Sequence, residues 1–250
     1  MRLRNLLFTV AFLLLFFSSN AQRLSLGGKI AFNNTAVYNK NIFDQVDYVK
    51  TGANSYGAQV NVMFTRKWGI TSDILLANQN QKYTLVDATN TFNGESEFTY
   101  LDVPVLLKRK NRIGLYTEFG PMISFLMSAN ETVFNSDGSL NYTEKDFKSD
   151  FNNFGLSAVG GLGWDIKLSK RLMINIEGRV GYMFTDVTTD YSNLSKEELL
   201  IKLLKEEISL NTYSSNLNEN GDVSYAKSTR IFTGVNVGIN WILIPMNIVK

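Results

Sequence analysis

Leu172-Met173-Ile174-Asn175-Ile176-Glu177-Gly178-Arg179-Val180-Gly181-Tyr182-Met183-Phe184 alternates with a period of two. Leu172, Ile174, Ile176, Val180, Tyr182 and Phe184 share one face; Asn175, Glu177, Arg179 and Gly181 share the other. Period two means a β-strand with different surroundings on its two sides. A soluble sandwich hides its apolar face and shows its charges to water. A membrane barrel turns the apolar face to lipid and keeps the polar one in its lumen. Alternation is common to both, so other features must separate them.

Seven further segments read the same way. The first sets Leu24, Leu26, Gly28, Ile30 and Phe32 against Ser25, Gly27, Lys29 and Ala31. The second sets Tyr56, Ala58, Val60, Val62 and Phe64 against Gly57, Gln59, Asn61 and Met63, and the third Ile70, Ser72, Ile74 and Leu76 against Thr71, Asp73 and Leu75. The fourth runs from Tyr100 through Leu107, the fifth from Ile113 through Phe125, the sixth from Phe154 through Lys167 and the eighth from Ile231 through Trp241. Each alternates for roughly nine to thirteen residues, which suits the ~9–11 of a tilted membrane-spanning strand better than the ~5–6 of a soluble one.

The connections are ordered too. Short polar turns fall around Arg66-Lys67, Lys110-Asn111 and Ser169-Lys170, and long ones over about 33–55, 78–97, 128–152 and 186–229. Strict long–short alternation puts every long loop at one end, as in outer-membrane barrels with short periplasmic turns and long external loops. Trp68, Trp164 and Trp241 then fall at the periplasmic edge as an aromatic belt. The expected fold is all-β: an eight-stranded antiparallel up-and-down transmembrane β-barrel with long external loops. Pro104 and Pro121 sit inside strands, where each removes a ladder donor, and a bulge is expected at each.

Arg2 and Arg4, the apolar block Leu6–Phe17 and the small residues Ser19 and Ala21 form the layout of a secretory signal peptide, residues 1–21, leaving residues 22–250 as one barrel domain. The apolar block is too short to span a bilayer as a helix. Among 250 residues there is no Cys and no His, which excludes disulfides, Ser-His-Asp catalysis and His or Cys metal clusters. Lys and Arg number 25 and Asp and Glu 23; removing the two Arg of the signal peptide leaves them equal. A neutral domain without a basic stretch argues against nucleic acid.

Tyr100-Leu101-Asp102-Val103-Pro104-Val105-Leu106-Leu107-Lys108 resembles the Tyr-Leu-acid-Ile-Pro-Leu-Leu-Leu-Lys motif of PorT-like outer-membrane β-barrel proteins of Bacteroidetes. Glu118-Phe119-Gly120-Pro121, Gly161-Leu162-Gly163 and Ile176 through Tyr182 continue the resemblance. It implies an eight-stranded barrel with both chain ends in the periplasm and, more remotely, a link to protein secretion and gliding.

The lumen charges expected from parity are Lys29, Asp73, Asp102 and Glu118, with Asp165, Lys167, Glu177 and Arg179. An eight-stranded barrel is just wide enough to be filled by its own side chains, and charges buried there must be paired. A plugging salt-bridge network is therefore expected to include Lys29, Glu118, Glu177 and Arg179, ahead of any acid–base chemistry. In the last long loop, Ser195-Lys196-Glu197-Glu198 is a capping-box signature, and Leu199, Leu200, Ile201, Leu203, Leu204 and Ile208 follow. This predicts an amphipathic helix of about four turns at the external mouth. Asp137-Gly138 and Asn220-Gly221 read as hairpin turns above the membrane. No enzyme and no cofactor is indicated. The expected partners are outer-membrane lipid and, through the external loops, another envelope or secretion protein, with the barrel a monomer. The alternative is a narrow pore or small-molecule transport barrel.

Overall fold

The structure, a computed structural model, describes residues 23–39, 46–49, 51–86, 91–134, 140–205, 207–209, 216, 223–225 and 227–244. The alternating segments form β1 (Arg23–Asn39), β3 (Thr51–Met63), β4 (Trp68–Val86), β5 (Thr91–Lys110) and β6 (Leu115–Phe134) in the first half, and β8 (Phe154–Lys167), β9 (Leu172–Met183) and β10 (Ser228–Ile244) in the second. Two shorter strands, β2 (Val46–Val49) and β7 (Leu140–Asp146), lie between them. The long strands pair antiparallel in the order β1-β3-β4-β5-β6-β8-β9-β10, and β10 pairs back on β1, from Leu24↔Ile244 to Asn39↔Ser228. This is the eight-stranded antiparallel up-and-down barrel. β2 adds to the far end of β4, and β7 to that of β6.

The two faces are inverted relative to a soluble protein. Ile30, Phe32, Ile74, Phe119, Leu162, Val180 and Ile239 are exposed on the outside, whereas Lys29, Asp73, Glu118, Glu177 and Arg179 are buried. A closed barrel pairs every backbone donor along its own ladders, which lets the apolar wall face hydrocarbon.

The short turns are built from local hydrogen bonds. Thr65 Oγ1 accepts from the amides of Lys67 and Trp68 at 3.2 and 2.9 Å, and Ser169 Oγ from those of Arg171 and Leu172 at 3.2 and 3.0 Å. Gly114 closes the middle turn at φ 98°, a conformation a side chain would strain.

Three expectations are corrected. Much of the segment expected as a loop over 78–97 is strand: β4 and β5 stay in register out to Val86↔Thr91. β6 likewise continues to Phe134. The apolar signal fades there because strands that rise out of lipid no longer need an apolar outer face, while Gln79, Gln81, Ser96 and Phe98 still point inward and are buried. The prolines make no bulge. The ladders skip pairs beside them instead, Ser72↔Val105 being followed by Leu75↔Asp102, and Pro104↔Met122 by Leu107↔Phe119. The missing donor is thus accommodated without a change of parity. The register shift between β5 and β6 lies instead between Thr99 and Tyr100, opposite Leu126 and Ser128, and beyond it the buried positions of β6 change from even to odd. Finally, the helix α1 (Lys196–Leu204) has nine residues and is shorter than expected. Residues 1–22, Asp137-Gly138 and Asn220-Gly221 lie outside the described residues.

Candidate functional site

Every second residue of a barrel strand enters the lumen, so chemistry from distant parts of the chain meets there at fixed heights. Reading up β5 gives Lys110, Lys108, Leu106, Asp102, Tyr100 and Phe98, all buried. Ionic and apolar layers follow one another in that order.

The layer nearest the short turns centres on Asp165. Its Oδ1 accepts from Lys108 Nζ at 3.0 Å and its Oδ2 from Lys110 Nζ at 2.5 Å, with Arg23 Nη2 3.7 Å away. Lys108 also stands 3.4 Å from the centre of the Tyr116 ring, a cation–π contact. The next layer is the densest. Lys29 Nζ donates to Asp73 Oδ2 and Glu177 Oε1, both at 3.0 Å. Arg179 reaches Asp73 Oδ2 and Glu118 Oε1 at 2.6 Å each, and Glu177 Oε1 at 2.5 Å. Tyr116 and Asn236 donate to Glu177 at 2.7 and 3.0 Å. Gly163 leaves room for this: a Cβ there would fall on the Tyr116 ring.

Above lies an apolar layer of Leu106, Met122, Val159 and Phe232. Arg230 then pairs with Asp102, 3.2 and 3.0 Å along the two arms of a fork, and covers the Tyr100 ring at 4.4 Å. At the mouth, Phe147 and Phe151 come down from the segment after β7 and join Phe98, Tyr100, Leu126 and Met183 in a buried cluster. The Phe98 and Phe151 rings meet edge-on at 4.9 Å.

Of the lumen charges named from the sequence, the structure brings Lys29, Asp73, Glu118, Glu177 and Arg179 into one network, and puts Asp165 and Asp102 in separate layers below and above it. Lys167 is corrected: at the last position of β8 it is exposed and makes no ion pair among the described residues. Sequence reading missed Arg23, Lys108, Lys110 and Arg230. Parity marks all four, but the apolar alternation stops at Leu24, Leu107 and Ile231, inside the true strand ends. In the Tyr100–Lys108 motif, Tyr100, Asp102, Leu106 and Lys108 all fill the lumen, and three of them touch a charge partner.

Trp68, Trp164 and Trp241 face outward and are about half exposed. Trp164 Nε1 donates to the carbonyl of Ile113 in the middle short turn at 2.9 Å. In α1 both capping-box bonds form: Glu198 N–H to Ser195 Oγ at 3.2 Å and Ser195 N–H to Glu198 Oε2 at 2.8 Å. These bonds hold the Glu198 carboxyl below its ordinary range. Leu199 and Ile208 are the buried residues here, with Tyr191, Leu194, Leu203 and Val223 against them; Leu200 is exposed, and Ile208 lies beyond the helix. The apolar face thus packs onto its own loop through Leu199, Leu203 and Ile208, while Leu200 stays outside. Beneath it, Asp150 Oδ2 accepts from Ser209 N–H at 2.6 Å. Burial pushes the Asp150 carboxyl up to about 6, and the charge of Glu131 adds to this.

A family model described as outer membrane protein beta-barrel domain matches residues 17–189. Among solved structures, the chain is similar to OprG from Pseudomonas aeruginosa, with 13% identity and a TM-score of 0.41, covering 90% of this chain and 97% of that one. It is also similar to Ail of Yersinia pestis, with 8% identity and a TM-score of 0.38 over 86% and 97% of the two chains. A third likeness is to the outer membrane protease OmpT from Escherichia coli, with 7% identity and a TM-score of 0.36 over 88% and 95%. No curated protein matches the sequence.

Proposed function

The chain belongs to the outer membrane protein beta-barrel domain family and resides in the bacterial outer membrane; from that premise we propose that it is a closed, non-enzymatic scaffold that presents its long loops at the cell surface. One observation carries the reading. Ionic layers and apolar layers succeed one another along the lumen, from Lys110 and Asp165 at one end to Phe147 and Phe151 at the other. Side chains that hold one another in this way fill the bore of an eight-stranded barrel. The ion pairs are consumed by packing, so they are poorly placed to act on a substrate.

With the lumen filled, the surfaces left for recognition are the outer wall, which meets lipid, and the two ends. The loop end carries α1 and the paired extensions of β4, β5, β6 and β7, which is the larger surface for a partner in the envelope. The motif from Tyr100 to Lys108, with its PorT-like pattern, supports an accessory role beside a protein-secretion assembly. Residues 1–21 direct export in this reading, the short turns face the periplasm, and the barrel acts as a monomer.

Single-channel recording of the folded barrel in a planar bilayer, over a range of salt concentrations, tests it. Silence is expected, with folding established by the heat-shifted gel mobility of the same sample. Steady, salt-dependent current would refute closure and make the chain a narrow pore.

A further inference from the structure

The short-turn end carries more cations than its acid can answer. Arg23, Lys108 and Lys110 are buried around a single carboxylate, Asp165. The two lysines take both of its oxygens. Arg23 is left with a 3.7 Å approach to Asp165 and no hydrogen bond among the described residues to its Nε or Nη2. Its side chain is only 4% exposed. A buried guanidinium with idle donors is costly unless an anion meets it.

The space beside it is suited to one. Arg23 and Lys110 line a cavity of about 520 Å³, and its rim is formed by Arg66, Lys67, Arg112 and Lys167. Those four rim residues are exposed and have no ion pair among the described residues. They come from two of the short turns and the end of β8, and with Arg23 of β1 they meet only across the closed ring. A second groove, of about 1030 Å³, shares Lys67, Lys110, Arg112 and Trp164 with the first. It continues past Leu115, Leu162 and Val235, which face outward and are exposed. An anion site therefore adjoins an apolar track on the lipid-facing wall.

We propose that the short-turn mouth is a phosphate-binding site, with Arg23 and Lys110 as the buried donors and Arg66 and Arg112 closing over the ligand. Guanidinium forks match the paired oxygens of a phosphate. The chemistry is shared by a free phosphate and by the headgroup of an anionic phospholipid. The apolar groove would hold the acyl chain only in the second case. Whether the lumen conducts does not bear on this site.

The test is a titration of the folded protein in a maltoside detergent, which carries no phosphorus, followed by ³¹P line broadening. One arm uses inorganic phosphate and the other short-chain phosphatidylglycerol. Saturable broadening by either probe is expected, weakened about tenfold or more in Arg23→Gln and in the double variant Arg66→Gln/Arg112→Gln, since each removes a charge-assisted contact. Response to phosphatidylglycerol alone assigns the site to a lipid headgroup, and response to inorganic phosphate at equal strength assigns it to a free phosphate. The double variant changes only exposed turn residues, so it keeps the test decisive if Arg23→Gln fails to fold. No saturable broadening with the natural protein, or unchanged affinity in the folded double variant, overturns the proposal.

Discussion

Replacing Arg179 by methionine removes the cation that Glu118 depends on. Glu118 Oε1 receives Arg179 Nε at 3.0 Å and Nη2 at 2.6 Å, and its Oε2 has no donor among the described residues. Asp73 and Glu177 keep Lys29 at 3.0 Å each, so they lose part of their compensation rather than all of it. Removing one partner of a buried pair costs roughly 3–5 kcal/mol, because the charge left behind is uncompensated. That is about two to three and a half orders of magnitude in the unfolding equilibrium, at about 1.4 kcal/mol per tenfold. The assay is urea unfolding of the barrel in lipid vesicles, followed by tryptophan fluorescence. Adding Glu118→Gln to Arg179→Met removes the stranded carboxylate, so the double variant should be more stable than the sum of the two single losses requires, by about 0.5–3 kcal/mol. A cost for Arg179→Met below about 1 kcal/mol, the range of a solvated surface pair, would refute the reasoning. It would mean that water bathes the network and that the lumen is not filled.

Three further outcomes are expected. Val180→Arg, on the outer wall of β9 where Val180 is 56% exposed, should destabilise the barrel by about 2–4 kcal/mol in a bilayer if it lies near the midplane; a cost near zero in the same unfolding assay would remove Val180 from contact with hydrocarbon. Gly163→Ala should push the Tyr116 ring away from Glu177 and cost about 1–3 kcal/mol, as overpacking does, and an unchanged unfolding midpoint would show that Tyr116 is free to move. The Asp150 carboxyl is raised to about 6 in the folded loop, so the loop's docking is strongest below the unfolded value of about 4 and weakens as pH rises through 6. Amide exchange at Ser209 should accordingly speed up between pH 5 and 7 beyond its intrinsic pH dependence, and Asp150→Asn should abolish that excess; an excess that persists in the variant would place the titrating group elsewhere.

The wall of the barrel was legible because lipid imposes a strict rule on it. Along β9, Leu172, Ile174, Ile176, Val180 and Tyr182 obey period two without exception, and the buried positions alternate with them. Where the rule relaxes, legibility falls. Thr84 and Asn93, for example, hydrogen-bond across β4 and β5 at 2.9 Å in a stretch whose outer face is polar, and no hydropathy pattern distinguishes such a strand from a loop. The prolines misled for a related reason. Pro104 and Pro121 each lack a ladder donor, but a ladder can skip a pair without changing parity. The bulge between β5 and β6, beside Met127, has no proline or glycine to mark it.

The lumen shows the same division between what a face dictates and what only closure can dictate. Parity places Asp73, Glu118, Glu177 and Arg179 inside, yet says nothing of which meets which; Asp73 and Arg179 are 106 positions apart and meet only because the ring closes. Parity applied to the full strands would also have placed Arg23, Lys108, Lys110 and Arg230 inside. It would not have shown that Lys108 and Lys110 converge with Arg23 on Asp165, because that depends on β1, β5 and β8 reaching the same height. Charge balance then separates the two layers. In the upper one, Lys29 and Arg179 face Asp73, Glu118 and Glu177, with the hydroxyl of Tyr116 and the amide of Asn236 supplying further donors; the excess there is one carboxylate, and Asp73 Oδ1 and Glu118 Oε2 have no donor among the described residues. In the lower one, three cations face one carboxylate. What sets the lower layer apart is its place: an excess of cations buried beside a cavity and ringed by further exposed cations is suited to take an anion from outside.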